Sequence, residues 1–320
     1  MSNKFKEQSW HTKAVELSEI GFSGREIAKV LGRGKSQVND YLKHLREKDL
    51  VLEGGGEKKL NILYFDLESS LMGCLSFGIW NQNIPASRIT KHSHLLSNSW
   101  AFNGEEPQGL RLTPEQVKTG DDLEIVVKTI ELIQKADVIV TFNGKKFDCK
   151  LLNTRALFWG LPPVVYPKHI DLMQDAKRVF KFPSNSMQNI SMYLGQEGKI
   201  ATSGTGLWER CYKWEDYEEC DKALEEMLRY GIQDIIPTRA LHRRFMGWSK
   251  NTPNIGMMAK HINGENHGLK CVHCGSDDVI MMNKVGYTAM SSFDLYRCGN
   301  TECRGVSRIN ASGKNLVNYL

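Results

Sequence analysis

Three consecutive glycines, Gly54, Gly55 and Gly56, stand between charged flanks, Leu52-Glu53 before them and Glu57-Lys58-Lys59 after. Three side-chain-free residues in a row behave as flexible linker and sustain neither helix nor strand, so the chain is divided here. Residues 249–268 are rich in Asn, Gly, His and Pro and lack an apolar period, which predicts a second join. The 320 residues are therefore expected as a head over 1–50, a linker over 51–59, a body over 60–248, a linker over 249–268 and a tail over 269–320. Apolar residues make up 41% and charged residues 25%, a globular mix that excludes a disordered or fibrous chain. No run reaches the ~18 apolar residues a membrane helix needs, and no membrane partner is expected. The opening Met-Ser-Asn-Lys-Phe-Lys-Glu-Gln has no apolar core of a secretory signal, so the expected location is cytoplasmic.

The head reads as three short helices. Trp10, Ala14 and Leu17 recur at helical spacing. Ser23-Gly-Arg-Glu26 has the spacing of a capping box, followed by the apolar face Ile27, Ala28, Val30 and Leu31. Gly32-Arg33-Gly34 breaks that helix, and Ser36 is expected to cap a third one bearing Val38, Tyr41, Leu42 and Leu45 on one face. Two helices joined by a glycine turn form the helix-turn-helix pattern, whose last helix enters the major groove of DNA. Lys35, Ser36, Gln37, Asn39 and Lys43 are then the candidate phosphate and base-edge contacts. Residues 1–48 hold ten basic and six acidic side chains, which suits a polyanion. A three-helix bundle for protein contact fits the same pattern and stays open.

The body carries the chemistry. Leu60-Asn-Ile-Leu-Tyr-Phe-Asp66-Leu-Glu68 is an apolar run ending in two carboxylates. On a strand, residues i and i+2 face the same way, so Asp66 and Glu68 project together. A second apolar run, Ala136 to Phe142, leads through Asn143-Gly-Lys-Lys-Phe147 to Asp148 at the start of an expected helix ending at Phe158. Leu224 to Phe245 reads as a long helix in which Tyr230 and Asp234, four apart, share a face. Taken singly these are a surface pair, an N-cap aspartate and an ordinary amphipathic helix.

Their order is more specific than any of them. Asp-x-Glu on a strand, Phe-Asp after a glycine turn and Tyr-x-x-x-Asp on a late helix resemble the DEDDy branch of the RNase H-like 3′–5′ exonucleases. The Asn-Gly-x-x-Phe-Asp form is most similar to the proofreading domains of family-B DNA polymerases and their stand-alone relatives. The likeness covers about residues 60–248, including His169-Ile-Asp171-Leu and Ser186 to Gly195. The region between the first two acidic motifs departs from the pattern, and a free-standing nuclease without a polymerase domain is expected. The resemblance implies an α/β body, an RNase H-like mixed sheet with flanking helices, between an all-α head and a small β tail. It implies two catalytic Mg²⁺ or Mn²⁺ ions, with Asp66 bridging both, Glu68 and Asp234 on one, and Asp148 on the other. It places Tyr230 as the residue that orients the attacking water, and Asn143 near the substrate strand.

Residue chemistry supports the ions independently. Four carboxylates in one cleft repel each other unless cations neutralise them, and hard oxygen ligands suit Mg²⁺ or Mn²⁺. Two such ions roughly 3.5–4 Å apart clamp both sides of a phosphodiester displacement. Phe147 is expected to pack beneath the site. Lys145 and Lys146 suit either phosphate contact or a solvated turn. Trp208, Tyr212, Trp214 and Tyr217, near Arg210 and Lys213, are expected as a core aromatic cluster, with single-strand stacking the alternative.

Four of the eight cysteines crowd the tail as Cys271-Val-His-Cys274 and, after 23 intervening residues, Cys298-Gly-Asn-Thr-Glu-Cys303. Paired thiolates of this kind complete a tetrahedral structural Zn²⁺ site, which a segment this short needs in order to fold. The pattern resembles a zinc ribbon, with a second pair spaced wider than usual. The runs from Val279 and from Asp294 are expected as a hairpin, and His273 is expected to be exposed.

These features predict a metal-dependent 3′–5′ exonuclease acting on DNA, at a single strand or a duplex 3′ end, with RNA left open. A transposase or recombinase with an RNase H-like core is the alternative, but it leaves Tyr230 unexplained. A non-catalytic DNA-binding regulator is a further one, against which stand the intact acids and tyrosine.

Overall fold

The computed structural model describes residues 10–19, 23–52, 59–78, 82–196, 205–265 and 268–319. The glycine triplet of the expected first linker lies outside the described residues, as does the side chain of Leu45.

The head holds α1 (His11–Glu19), α2 (Gly24–Leu31) and α3 (Lys35–Leu52). Ser23 and Glu26 make the expected capping box, and Gly32 ends α2 in the left-handed conformation at φ +61°. Trp10, Ala14, Leu17, Ile27, Ala28 and Val38 form a small core of their own. Ser36 does not cap α3. The Gly34 carbonyl already accepts from Val38 N–H at 3.1 Å, so the helix starts before Ser36, whose hydroxyl turns to Asp40 at 3.4 Å. Lys35, Ser36, Gln37, Asn39 and Lys43 are all exposed on α3.

The body is built on β1 (Ile62–Ser69), β4 (Leu95–Phe102), β5 (Gln108–Arg111), β6 (Val138–Thr141) and β7 (Lys168–Asp171), while β2 (Gly73–Cys74) and β3 (Ile89–Lys91) form a separate hairpin. The sheet runs β5-β4-β1-β6-β7. The β1–β4 and β4–β5 pairs are antiparallel, and β1–β6 and β6–β7 are parallel. Helices cover both faces: α4 (Pro114–Thr119), α5 (Leu123–Lys135), α6 (Asp148–Phe158), α7 (Leu172–Val179), α8 (Met187–Tyr193), α9 (Thr205–Tyr212) and α10 (Tyr217–Phe245). Strand alternation divides the interior. Leu63, Phe65 and Leu67 pack with Ile125, Ile130 and Leu152 of α5 and α6. Tyr64, between them in sequence, packs with Ile235, Leu241 and Phe245 of α10.

Helix α6 is held in place by a buried ion pair. Arg155 donates to both carboxylate oxygens of Asp122 at 2.7 and 2.8 Å. Trp159 Nε1 and the backbone N–H of Leu95 each donate to the same carboxylate at 2.8 Å. A buried charge is tolerable when it is saturated in this way, and the network fixes the helix that begins at Asp148.

The expected second linker holds a helix, α11 (Ile255–Asn263). Ile255, Met258, Ala259 and Ile262 supply the i, i+3, i+4, i+7 stripe, one turn shorter than a pattern search rewards. Asn254 caps its start and Gly264, at φ +66°, its end. The tail is an antiparallel sheet of β8 (Val279–Tyr287), β9 (Ser292–Cys298), β10 (Val306–Ile309) and β11 (Leu316–Asn318) in the order β11-β10-β9-β8. Among the described residues no helix is long and apolar enough to cross a membrane.

Candidate functional site

Asp66 and Glu68 leave β1 on the face that Tyr64 shares with α10, as the period of two requires. Across the β1–β4 ladder Asp66 stands opposite Ser99 and Glu68 opposite Ser97. Small residues there leave room for a helix. Gly231 of α10 uses that room, for a Cβ on it would lie 2.5 Å from Ser99 Oγ and 3.3 Å from Ser99 Cβ. The close crossing puts Asp234, one turn on and 1% exposed, against the strand. One ligand oxygen each from Asp66, Glu68 and Asp234 lies within 4.8 Å of the others.

Gly231→Ala therefore has a defined cost. Overpacking of this kind costs about 1–3 kcal/mol, read as a lower urea midpoint. Adding Ser99→Ala removes the nearest clashing atom and should restore part of the loss. A double variant no more stable than the single one would exclude the contact as the cause.

Asp148 approaches β1 differently. Its Oδ1 accepts the backbone N–H of Leu67, the residue between the other two acids, at 2.9 Å. It begins α6 and is buried, but it lies outside the group of three. The preceding turn is set by Asp171, which accepts from the N–H groups of Asn143 at 3.0 Å and Lys145 at 3.1 Å. Asn143 takes φ +71°, a left-handed conformation that asparagine tolerates. Gly144 lies against Thr141, where a Cβ would come within 2.4 Å of Thr141 Oγ1.

Phe147 does not pack beneath the site; it is 58% exposed. With Asp148 turned inward at the first position of α6, its predecessor points to solvent, and Lys146 Nζ sits 5.4 Å from its ring centre. Tyr230 is half-buried and meets Trp208 edge-on at 6.2 Å. Trp208 and Trp214 pack on the core as expected, whereas Tyr217 is exposed.

One buried and one half-buried histidine brace the site. His242 of α10 pairs with Tyr64 OH at 2.8 Å, and burial, then the Arg243 charge, pushes its pKa down to about 4. His169 of β7 pairs with Thr141 at 2.8 Å, and burial, then Lys145, pushes it down to about 3. Between about pH 6.5 and 4 the unfolded chain binds these protons and the folded chain does not. Stability should therefore fall as pH falls through that window, by about 1.4 kcal/mol per pH unit for each histidine. Asp175, whose carboxyl is raised by burial, works in the opposite sense. Urea titrations at several pH values test this: His242→Asn should flatten the acid slope, and an unchanged slope would refute the assignment.

The four tail cysteines also converge. Cys271 and Cys303 Sγ lie 3.8 Å apart and Cys274 and Cys298 Sγ 3.6 Å apart, and all four sulfurs fall within 4.8 Å. A tetrahedron of ~2.3 Å Zn–S bonds has edges of about 3.8 Å, so the donor set fits Zn²⁺ and a small zinc-ribbon tail. His273 is not exposed but 2% accessible. The turn between Cys271 and Cys274 folds it against Gly305, where a Cβ would meet its ring at 2.4 Å.

Ser97, Ser99, Gly231 and the Asp122–Arg155 pair carry the geometry and escaped sequence reading, and Asp171 was noted only within a similar segment. Only the spacing of Gly231 between Tyr230 and Asp234 offered a signal.

The family model described as RNase H superfamily matches residues 98–246. A DNA polymerase of Archaeoglobus fulgidus is 26% identical over 155 residues, 41% of this chain and 18% of that protein. The structure of the family B DNA polymerase from the hyperthermophilic archaeon Pyrobaculum calidifontis superposes with a TM-score of 0.45 and 16% identity, over 65% of this chain and 26% of that one. Both matches thus span a quarter or less, or little more than a quarter, of much longer proteins. Residues 98–246 thus match the RNase H superfamily model, and the chain is weakly similar to an archaeal DNA polymerase.

Proposed function

We propose that this chain is a metal-dependent nuclease, and specifically a 3′–5′ exonuclease of the DEDDy type acting on DNA. The observation that carries the reading is the approach of Asp66, Glu68 and Asp234 to within 4.8 Å, with Asp234 inside the stretch that matches the RNase H superfamily model. Carboxylates are kept this close where cations bind between them, and an all-oxygen set favours Mg²⁺ or Mn²⁺. Asp66, Glu68 and Asp234 would hold one ion, with Asp66 and Asp148 serving a second. When bound, the ions lower the pKa of the attacking water and neutralise charge on the phosphate.

The chain's own groups do the rest. Leu67 N–H fixes the Asp148 carboxylate, and so its spacing from the other acids. Tyr230, one turn before Asp234, orients the attacking water through its hydroxyl. It acts by hydrogen bonding rather than as a base. Asn143 lines the path of the substrate strand. The head, through Lys35, Ser36, Gln37, Asn39 and Lys43, and the zinc-bearing tail bring the enzyme to nucleic acid.

End-labelled oligonucleotides test the reading. With Mg²⁺ or Mn²⁺, a 5′-labelled strand should give a ladder of shortening products and a 3′-labelled strand should release labelled mononucleotide at once. Matched RNA shows which polymer is preferred. Shortening only from 5′ ends, strand-transfer products on a plasmid, or activity persisting in chelator would sink it.

A further inference from the structure

The chain leaves Glu68 into an arm that no part of the acidic site uses. Its neck closes two residues later: Ser70 N–H donates to His94 O at 2.8 Å, and Ser93 Oγ donates to Ser70 O at 2.8 Å. Two residues span at most about 7 Å of chain, so the arm is rooted beside the acids. Its base is the β2–β3 hairpin, where Leu75 N–H donates to Arg88 O at 2.9 Å. That base is clamped to α9, for a Cβ on Gly73 would lie 2.2 Å from Tyr212 OH.

On this root and beyond it the surface is apolar and open. Leu71, Met72, Leu75, Phe77 and Ile84 are all exposed, Phe77 at 93%. Such a patch on a soluble surface marks a binding face. Arg88 lies over one face of the Phe77 ring at 4.5 Å, which leaves the other face free. From Ser69 to Ser93 there is no Asp or Glu, although the segment adjoins the acidic cluster. An aromatic ring backed by a guanidinium, on a segment without acidic side chains, matches a base with its phosphate. Duplex bases are stacked on each other and hide their faces; a single strand exposes them.

We propose that this arm is a stacking platform that grips single-stranded nucleic acid a few nucleotides from the end presented to the acidic cluster. The platform rests on the nuclease reading for its placement but not for its test. Phe77 takes a base, Arg88 the adjoining phosphate, and the clamped neck holds both in register with Glu68.

The test uses the full-length chain carrying Asp66→Ala, so that binding is read without cleavage. A short single-stranded oligonucleotide bearing one 5-iodouracil near its 3′ end is irradiated, and the crosslinked peptide is identified by mass spectrometry. Crosslinks are expected on the segment from Leu71 to Phe77. In fluorescence anisotropy, Phe77→Ala should weaken the oligonucleotide roughly 5- to 100-fold, the range for loss of one stacked base. Arg88→Ala should weaken it and flatten the salt dependence by about 0.7 in log–log slope. Blunt duplex binding should be insensitive to both. Crosslinks confined to the head or tail, a less than twofold change with Phe77→Ala, or self-association abolished by Phe77→Ala would each overturn the proposal. Failure of the wild-type chain to shorten any strand, with arm crosslinks intact, would instead remove the exonuclease reading alone.

Discussion

Asp66→Ala should reduce end-shortening by a factor of at least about 10³, the several kcal/mol that a catalytic metal site supplies, while leaving the metal-free protein as stable or more stable. The opposed signs follow from the geometry. Three carboxylates within 4.8 Å repel one another in the absence of cations, so removing one relieves the folded state. Asp234→Asn should behave alike, since its side chain is 1% exposed and the amide keeps its volume. Divalent cations should raise the melting temperature of the wild-type chain and have little effect on either variant, because only a ligand bound to the folded state stabilises it. Asp148→Ala should differ in kind. It strips the acceptor from the buried Leu67 N–H, which costs about 1–3 kcal/mol, so activity and stability fall together. Titration of activity and thermal stability against Mn²⁺ for the three variants decides the matter. If Asp66→Ala lost stability like Asp148→Ala, Asp66 would be a structural residue and the metal reading would fail.

The parts legible in the sequence were those with an alternation or a spacing to read. Period two put Asp66 and Glu68 on one side of β1, and a four-residue step put Asp234 one turn beyond Tyr230. The strand that completes the site was not legible. β4 runs through Ser97, Asn98 and Ser99, all buried, and three polar residues in a row read as loop. Ser97 and Ser99 face α10, which crosses there on Gly231, while Asn98 faces α5, and such long-range contacts leave no local pattern. Asn98 shows how the burial is tolerated: its Nδ2 donates to Thr129 Oγ1 of α5 at 2.8 Å, and that hydroxyl donates back to Ile125 O at 2.7 Å.

The misreadings have the same origin. Phe147 was expected inside on hydrophobicity, but one backbone direction cannot bury it and Asp148 together, and the acid has a partner in Leu67. α11 was overlooked because Asn and Gly dominate its flanks, yet these are its caps. His273 was expected outside because it lies between two cysteines. The sulfurs close the turn over it, and both ring nitrogens are buried. Asp148 was expected among four converging acids and is instead tethered beside three, a difference set by a backbone N–H that no side-chain pattern reports.

Removing zinc from the tail should unfold it while the body remains folded. Besides its cysteines, the tail buries only Val272, Leu295 and Leu316 among its described apolar side chains. Its cluster of buried apolar atoms is largely Cys271, Cys298 and Cys303 themselves, with Cys274, Val279 and Met246 packed around them. Ile280, Met281, Tyr287 and Met290 of the hairpin are exposed. Structural zinc contributes roughly 10–16 kcal/mol of apparent binding energy in small domains, more than such a core supplies. Cys298→Ser, or a strong chelator, should therefore raise hydrogen exchange across 271–318 to unprotected rates. The loss should reach one step further. Gly247 sits where a Cβ would be 2.0 Å from Cys303 O, Asn254 Nδ2 donates to Leu316 O at 2.8 Å, and Ile255 N–H donates to Val272 O at 2.8 Å. Residues 246–255 should loosen with the tail, because these partners are tail carbonyls, whereas the rest of α11 packs its apolar stripe on the body. The sheet from β1 to β7 rests on separate cores and should keep its protection. Native mass spectrometry should find one zinc per chain in the wild type and none in Cys298→Ser. Protection of β8 to β11 surviving complete zinc removal would show that the four sulfurs pack as a hydrophobic cluster and not as ligands.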